Sequence, residues 1–195
     1  MRNIRDSLTP LIDKALGILN INSMRAVLAL EGASGTGKTT AAEQIKAALD
    51  GRVNVSIIHT DDFFLPLYKK SPERLAQIGG NIDYERIKLE VIDHLSDEFI
   101  SYGVFDCKKQ KIVQCRQLNT GGLLIVEGVY SLHFALGRYY DICALLTSSF
   151  ENRLDRIKSR ESPNNFARFV KEWIPLENRY LKTLDTCLLD FVIET

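Results

Sequence analysis

The chain has 195 residues, of which 45% are hydrophobic and 26% are charged, and its formal net charge at pH 7 is zero. This length suits one domain, 1–195, that buries a core large enough to need no stabilising disulfide bond or structural metal ion. The neutral balance gives no electrostatic reason to expect nucleic acid or an anionic membrane as a partner. No signal peptide or membrane-spanning run is expected, which favours a cytoplasmic protein and leaves homo-oligomerisation open.

The N-terminal segment, 1–22, is predicted to form an amphipathic leading helix. Its apolar residues recur at helical spacing, and Thr9 and Pro10 offer an N-cap followed by proline at the first helical position. The polar face has mixed charge, which favours packing on the domain over a role at a membrane surface.

Five short apolar runs alternate with segments of helical periodicity. The runs are 26–30, 53–58, 123–127, 141–146 and 188–194. Such runs, separated by helices, indicate a mostly parallel five-stranded sheet with helices on both faces. The predicted fold class is therefore doubly wound α/β.

A phosphate-binding pattern follows the first run. Residues 32–39 fit G-x-x-x-x-G-K-[ST] and open a helix, which is the context the pattern requires. Glycines let backbone N–H groups converge on phosphates, Lys38 meets the β and γ phosphates, and the Thr39 hydroxyl ligates magnesium. The sequence thus predicts ATP and Mg²⁺ as cofactors. The predicted nucleotide-binding residues are Gly32, Ala33, Ser34, Gly35, Thr36, Gly37, Lys38, Thr39 and Thr40.

Carboxylates follow two other runs, at the sheet edge where parallel sheets bind ligands. Phosphoryl transfer to an alcohol needs a carboxylate that orients the hydroxyl and takes its proton, and Asp61 is predicted to be that base. Asp62 is either a loop acid or a support for magnesium through water. Glu127 is predicted to hold magnesium or its waters together with Thr39. Structural roles are expected for Glu31 and for the three histidines.

A long excursion, 66–118, separates the second and third runs. It is predicted to contain a helix from about 84 to 99 and a hairpin that turns at 108–110. An excursion of this size in a small α/β domain indicates binding, here of a small hydroxylated substrate. Aromatic and acidic side chains in and beside it suit a polyol or nucleoside, although packing or capping is equally open for each. The predicted substrate-binding residues are Asp61, Phe64, Asp83, Tyr84, Tyr102, Phe105 and Asp106.

An arginine-rich helical segment, 150–168, is interrupted at 162–164, and such a break is typical of a mobile lid. Arg153, Arg156 and Arg160 are spaced to share one helical face. Arg156 and Arg160 are predicted to neutralise charge on the transferring phosphoryl group. Neighbouring acids leave open the alternative of a solvated face.

Four segments together resemble the uridine kinase family of P-loop kinases, with weaker similarity to pantothenate kinase and phosphoribulokinase. They are GASGTGKTT (32–40), TDDFFLP (60–66), NIDYE (81–85) and VEGVY (126–130), and the resemblance extends over 24–195. It implies that Asp61 is the base, that Asp83 and Tyr102 hold a sugar, and that Glu127 serves magnesium. It also implies lid roles for Arg156 and Arg160.

The resemblance makes uridine or cytidine the first acceptor to test. The hairpin, however, reads FDCKK at 105–109 where that family usually carries histidine followed by serine and arginine, and the lid lacks the usual arginine-glycine pair. The alternatives are a kinase of pantothenate, glycerate or a sugar and, from another class, a P-loop switch that hydrolyses nucleotide.

Overall fold

Seven α-helices and seven β-strands follow one another in the computed structural model, which describes residues 4–21 and 24–195. The helices are α1 (Ile4–Asn20), α2 (Lys38–Leu49), α3 (Pro72–Leu75), α4 (Tyr84–Glu90), α5 (Phe150–Arg160), α6 (Pro163–Arg168) and α7 (Ile174–Leu181). The strands are β1 (Arg25–Glu31), β2 (Val55–His59), β3 (Phe99–Asp106), β4 (Lys111–Asn119), β5 (Gly122–Glu127), β6 (Ile142–Thr147) and β7 (Phe191–Glu194).

Five strands form one sheet in the order β2-β5-β1-β6-β7, and every neighbouring pair is parallel. The apolar composition of β1 and β5 fits this arrangement, because both strands are buried along almost their whole length. The predicted doubly wound α/β fold is confirmed. Since all five strands run the same way, the residues that follow β1, β2 and β5 meet at one edge.

Both faces of the sheet are covered. On one face, buried side chains of α1 and α2, such as Leu11 and Ile45, pack against the strands. On the other face, the excursion contributes Ile87 from α4 and Tyr102 from β3. The excursion is therefore part of the core, and the sheet fixes its position.

The leading helix differs from its prediction. α1 runs over Ile4–Asn20 with Pro10 inside it, so the predicted start at Thr9 and Pro10 is wrong. Leu8 is 1% exposed and lies on the same packed face as Leu11, and its burial favours extending the helix before the proline. Residues 1–3 and 22 of the predicted segment lie outside the described residues.

The helix of the excursion is shorter than predicted. α4 ends at Glu90, and Val91 leaves the helical backbone at φ −123° and ψ −62°. Val91 and Ile92 are adjacent β-branched residues, which are weak helix formers, and Val91 is fully buried. A 3-10 turn at Ile92–His94 follows, so the apolar spacing continues without an α-helix.

The hairpin of β3 and β4 turns at 107–110, which includes the predicted 108–110. The outer strands of the sheet shift from their predicted bounds. β2 covers Val55–His59 rather than 53–58, and β7 begins at Phe191 rather than 188, because a 3-10 turn capped by Asp185 precedes it. No helix within residues 4–21 and 24–195 is long and apolar enough to cross a membrane.

Candidate active site

The loop between β1 and α2 forms a backbone cradle at the carboxyl edge of the sheet. Gly35 and Gly37 have φ angles of +83° and +85°, which L side chains rarely adopt. A Cβ at Gly35 would also lie 2.7 Å from the backbone oxygen of Arg153. The loop therefore needs glycine at Gly35 both for its backbone angle and for the close approach of α5.

Lys38 is folded over this loop. Its buried ammonium donates to the carbonyl oxygen of Ala33 at 3.1 Å, and the Thr36 hydroxyl donates to the same oxygen at 2.8 Å. Thr39 and Thr40 continue into α2 and are exposed. The predicted nucleotide-binding residues thus form a loop and the first residues of α2, with the positive charge of Lys38 folded over the loop.

Glu31, the last residue of β1, anchors the start of the loop. One of its carboxylate oxygens accepts from the Gly32 and Tyr130 amides, at 2.8 and 3.2 Å. The other accepts from the Leu132 amide at 3.0 Å and from the Tyr180 hydroxyl of α7 at 2.7 Å. Burial raises the pKa of Glu31, and these hydrogen bonds oppose that shift. The contacts give Glu31 the structural role that its sequence position suggested.

A second anchor joins the loop to α5 and α7. The Ser34 amide and hydroxyl donate to the Glu177 carboxylate at 2.9 and 2.5 Å. Arg153 Nε donates to the Ser34 carbonyl at 2.9 Å, and its Nη2 lies 3.5 Å from Glu177. Both charged side chains are buried. Arg153 therefore faces the loop backbone rather than the open cleft.

Asp61 lies just beyond the end of β2, in a 3-10 turn over Thr60–Phe63. Within the described chain its carboxylate makes no hydrogen bond or ion pair. The residue is exposed to water, and partial desolvation by the surrounding protein raises the pKa of Asp61. The charges of Lys38 and Arg160 act in the opposite direction. An accessible, unpaired carboxylate with a raised pKa suits a general base.

Asp62 faces the excursion. Its Oδ2 accepts from the Tyr102 hydroxyl at 3.1 Å and lies 3.5 Å from Nη1 of Arg116 on β4. Tyr102 in turn stacks on Phe63, with ring centroids 5.1 Å apart. The role of Asp62 as a magnesium ligand stays a prediction, and its contacts here are with the acceptor side of the cleft.

Glu127 ends β5 beside the phosphate loop. Its Oε1 accepts from the Thr39 hydroxyl at 2.9 Å and lies 2.6 Å from Nδ1 of His59, the last residue of β2. The hydrogen bond to Glu127 raises the pKa of His59. Burial alone would raise the pKa of Glu127, but His59 and the charge of Lys38 hold it below its usual value.

The Thr39 and Glu127 pair fits the needs of Mg²⁺. No group of three or more metal-ligating side chains occurs among residues 4–21 and 24–195. Magnesium, however, commonly keeps several waters and takes one or two protein oxygens together with substrate phosphates. A hydroxyl and a carboxylate already within hydrogen-bonding distance, at the start of α2, supply such oxygens. Thr39 and Glu127 therefore remain the predicted ligands.

Asp83 is enclosed within the protein. It is 0% exposed, and its Oδ2 accepts from Lys69 Nζ at 2.9 Å. Its Oδ1 caps α4 by accepting from the Arg86 amide at 3.2 Å. Both carboxylate oxygens are therefore engaged by the protein itself, so a sugar hydroxyl would have to displace Lys69 to bind there.

The other predicted substrate-binding residues are spread over the excursion. Tyr84 is buried with its ring stacked on His133 at 4.3 Å, and Phe105 is also buried. Phe64 is half-buried and pairs with Ile82 in an isolated bridge. Asp106 caps the hairpin turn by accepting from the amides of residues 108 and 109. The structure thus brings Asp61, Asp62 and Tyr102 together, whereas the contacts of Tyr84 and Asp106 are local.

The segment predicted to be a lid consists of α5 and α6, separated at the predicted break by Ser162, which caps α6. Arg156 Nη1 donates to the Gly35 carbonyl at 3.1 Å and to the Thr195 hydroxyl at 3.2 Å. The guanidinium of Arg160 lies 5.9 Å from the centre of the Phe169 ring. Both catalytic roles stay predictions, and Arg156 already contacts the phosphate loop.

Three residues of the site had no predicted role there. Glu177 meets Ser34 across 143 positions, Arg116 meets Asp62 across 54, and Lys69 reaches Asp83 from the other side of a turn. Each is a charged residue in a polar stretch with no motif around it. Only their contacts with residues distant in the chain or across a turn identify them, and those contacts follow from the tertiary fold.

Comparison with known proteins supports this architecture. A profile described as AAA domain matches residues 28–180. A structure described as a possible uridine kinase from Bacillus stearothermophilus is 21% identical with a TM-score of 0.74, covering 97% of this chain and 98% of that one. A protein provisionally assigned as a fructose transport system kinase, from Silicibacter sp. TM1040, is 18% identical with a TM-score of 0.79, covering 98% and 99%. The D-glycerate 3-kinase of Cryptococcus neoformans is 11% identical with a TM-score of 0.64, covering 90% and 88%.

These structures share the fold at low identity, and the acceptors in their names differ from one another. The profile match extends from β1 through the phosphate loop to α7, which is most of the chain. Together with the parallel sheet and the added hairpin, it supports a P-loop kinase fold. The chain belongs to the AAA domain family.

Proposed function

We propose that this chain is an ATP-dependent small-molecule kinase that transfers the γ-phosphoryl group to a substrate hydroxyl. The observation that carries the proposal is the state of Asp61. Among the residues that the structure describes, it is the acid at the carboxyl edge of the sheet that is accessible, unpaired and of raised pKa, whereas Glu31, Glu127 and Glu177 each have several partners. A group that takes a proton from an alcohol needs these properties.

The phosphate side of the reaction would use the loop and α2. Loop amides and Lys38 would hold the nucleotide, with Lys38 exchanging the Ala33 carbonyl for phosphate oxygens. Bound magnesium would offset the negative charge of the phosphates, and Thr39 and Glu127 would hold it. Arg156 and Arg160 would add positive charge from the lid on closure.

The acceptor side would use the excursion. Asp61 would orient the hydroxyl and take its proton, and Tyr102 would form part of the wall. Uridine and cytidine are the first nucleosides to test because of the sequence resemblance. The closed state of Asp83 weighs against them, since its oxygens are already bonded to Lys69 and to the Arg86 amide. Pantothenate, glycerate and sugars are the other acceptors in question.

Asp61→Asn tests the proposal, because asparagine keeps the shape of the side chain but cannot take a proton. Acceptor-dependent ADP release should fall by about 10²–10⁴-fold, the usual worth of a positioned general base. ATP-magnesium affinity, measured by calorimetry, should stay close to that of the wild type. Asp93→Asn is the matched control, since Asp93 is an exposed acid of the same excursion.

Two results would contradict this assignment. Normal transfer by the Asp61→Asn variant would remove Asp61 from the mechanism. ADP release that needs no acceptor, and that is equal in the variant and the wild type, would instead indicate a nucleotide-hydrolysing switch.

A further inference from the structure

Arg116 places a guanidinium next to Asp62, the chain neighbour of the candidate base. It lies on β4 directly opposite Tyr102 on β3. Its Nη1 is 3.3 Å from the Tyr102 hydroxyl and 3.5 Å from Asp62 Oδ2, and Asp62 is the residue after Asp61. The Arg116 side chain is 34% exposed, so solvent can reach it.

The hydrogen bonding of Arg116 is incomplete. A guanidinium has five N–H donors, and within the described chain only Nη1 of Arg116 has partners. Its 3.5 Å contact with Asp62 is long for a charge-assisted pair, which is typically about 2.7–2.9 Å. Arg86, also in the excursion, bonds Glu90 through Nε and Nη2 at 2.7 and 2.8 Å. Arg116 thus keeps the donors that bind a carboxylate or phosphate in bidentate geometry.

A second cation of the excursion is Lys70. Lys70 is half-buried and forms no ion pair within the described chain. Burial lowers the pKa of Lys70, and the charge of Arg168 acts in the same direction. The Cys107 thiol lies within electrostatic range of both Lys70 and Asp61. Lys70 therefore brings to the acceptor side a positive charge that no ion pair neutralises within the described chain.

The cations of the acceptor side differ in how far they are neutralised. Lys69 pairs with Asp83, Arg116 has only the long contact with Asp62, and Lys70 has no ion pair within the described chain. Both oxygens of Asp83, the acid that the sequence assigned to neutral hydroxyls, are already bonded to the protein. The unused donors of Arg116 and the half-buried Lys70 favour a negatively charged ligand.

We propose that the acceptor is an anionic alcohol, and that Arg116 binds its carboxylate or phosphate group while Asp61 faces its hydroxyl. Lys70 adds positive charge to the same side of the cleft. This inference rests on the proposed kinase function, of which it names the substrate class. It accounts for an open guanidinium in a place where the resemblance implied only a sugar-binding pair.

Matched acceptors test the inference. ADP release is measured with glycerol, D-glycerate and glycerol 3-phosphate, with pantothenol and pantothenate, with ribose and ribose 5-phosphate, and with uridine. Within each set that supports ADP release, the charged compound should be the preferred acceptor. The group that this compound carries shows whether Arg116 binds a carboxylate or a phosphate. Arg116→Gln should raise the KM for that acceptor by about 10- to 100-fold, the worth of a charged hydrogen-bonding group, and should remove the preference. Arg116→Lys should keep part of it.

A binding measurement separates the anion site from the chemistry. With a non-hydrolysable ATP analogue and magnesium filling the loop, inorganic phosphate or malonate should raise the Tm of the wild type and not that of Arg116→Gln. Lys88→Gln is the control, because it removes one positive charge from an exposed position on α4. It should behave as the wild type does in both assays.

The outcomes are distinct. A preference for neutral acceptors or uridine that Arg116→Gln leaves unchanged overturns the inference and keeps the kinase. Equal anion binding by the wild type and Arg116→Gln also overturns the inference. Arg116-dependent anion binding without acceptor-dependent ADP release from any compound refutes the kinase proposal and supports the anion site.

Discussion

Replacing Glu177 by glutamine tests the buried contacts that join the phosphate loop to α5 and α7. The change keeps the shape of the side chain but removes the charge that faces Arg153 and the two donors of Ser34. Arg153 would then be a buried cation whose remaining bond, within the described chain, is to the Ser34 carbonyl.

The expected loss of stability follows from the burial of the two charged side chains. Glu177 is 4% exposed and Arg153 is 7% exposed, so water cannot replace the lost partner. Breaking a buried ion pair by removing one member costs about 3–5 kcal/mol. For a domain of this length each kcal/mol lowers the Tm by about 2–4 °C, which gives a fall of about 6–20 °C. ATP affinity should also fall, because Ser34 is part of the predicted nucleotide-binding loop.

Thermal unfolding of four proteins provides the assay: the wild type, Glu177→Gln, Arg153→Met and the double variant. The double variant should lose less stability than the sum of the single changes, because it leaves no buried unpaired charge. Glu172→Gln is the control, since Glu172 forms an exposed pair with Arg168, and such pairs are worth about 0–1 kcal/mol. Additive losses, or a Glu177→Gln Tm within the range of the control, would refute the reasoning.

Two further predictions concern the nucleotide and acceptor sides. Lys38→Ala should greatly lower the rate of ADP release, because it removes the charge placed inside the loop. Near-normal turnover would exclude the loop as the phosphate site. Burial would raise the pKa of Glu90, but hydrogen bonds from Arg86 and the Gly103 amide hold it below its usual value. This stabilisation is present above the unfolded pKa of 4.5 and is lost as the pH falls through the lower folded value. Glu90→Gln should therefore reduce the free energy of unfolding at pH 7, with the gap to the wild type closing in acid, whereas a gap independent of pH would contradict it.

The sequence predicted the features that depend on short stretches of neighbouring residues. The phosphate loop is a contiguous pattern between a strand and a helix, and Asp61 follows the end of a strand. Both positions can therefore be predicted once the strands and helices are placed along the chain. The break before Pro163 was likewise marked by turn-forming residues. These predictions depended on neighbours in the chain and not on distant contacts.

The remainder depended on tertiary contacts. Pro10 is a local signal for a helix start, and the burial of Leu8 overrode it. The apolar spacing after Glu90 was that of a helix, yet the buried β-branched Val91 ended it. Asp83 carried an expected role in binding a hydroxyl, and the position of Lys69 could not be read from the sequence.

The partners of each carboxylate distinguish the acids that hold this cleft in shape from the acid proposed to act on the substrate. Glu31 and Glu177 each accept several hydrogen bonds in the interior, so their charges are already stabilised and hold the loop in place. Asp83 caps a helix and pairs with Lys69, which fixes the excursion. Within the described chain Asp61 alone among these four has no partner, although partial desolvation disfavours its charge. A protein gains no stability from an unpaired carboxylate in such a position, and this is the state that the proposed base for a substrate hydroxyl requires.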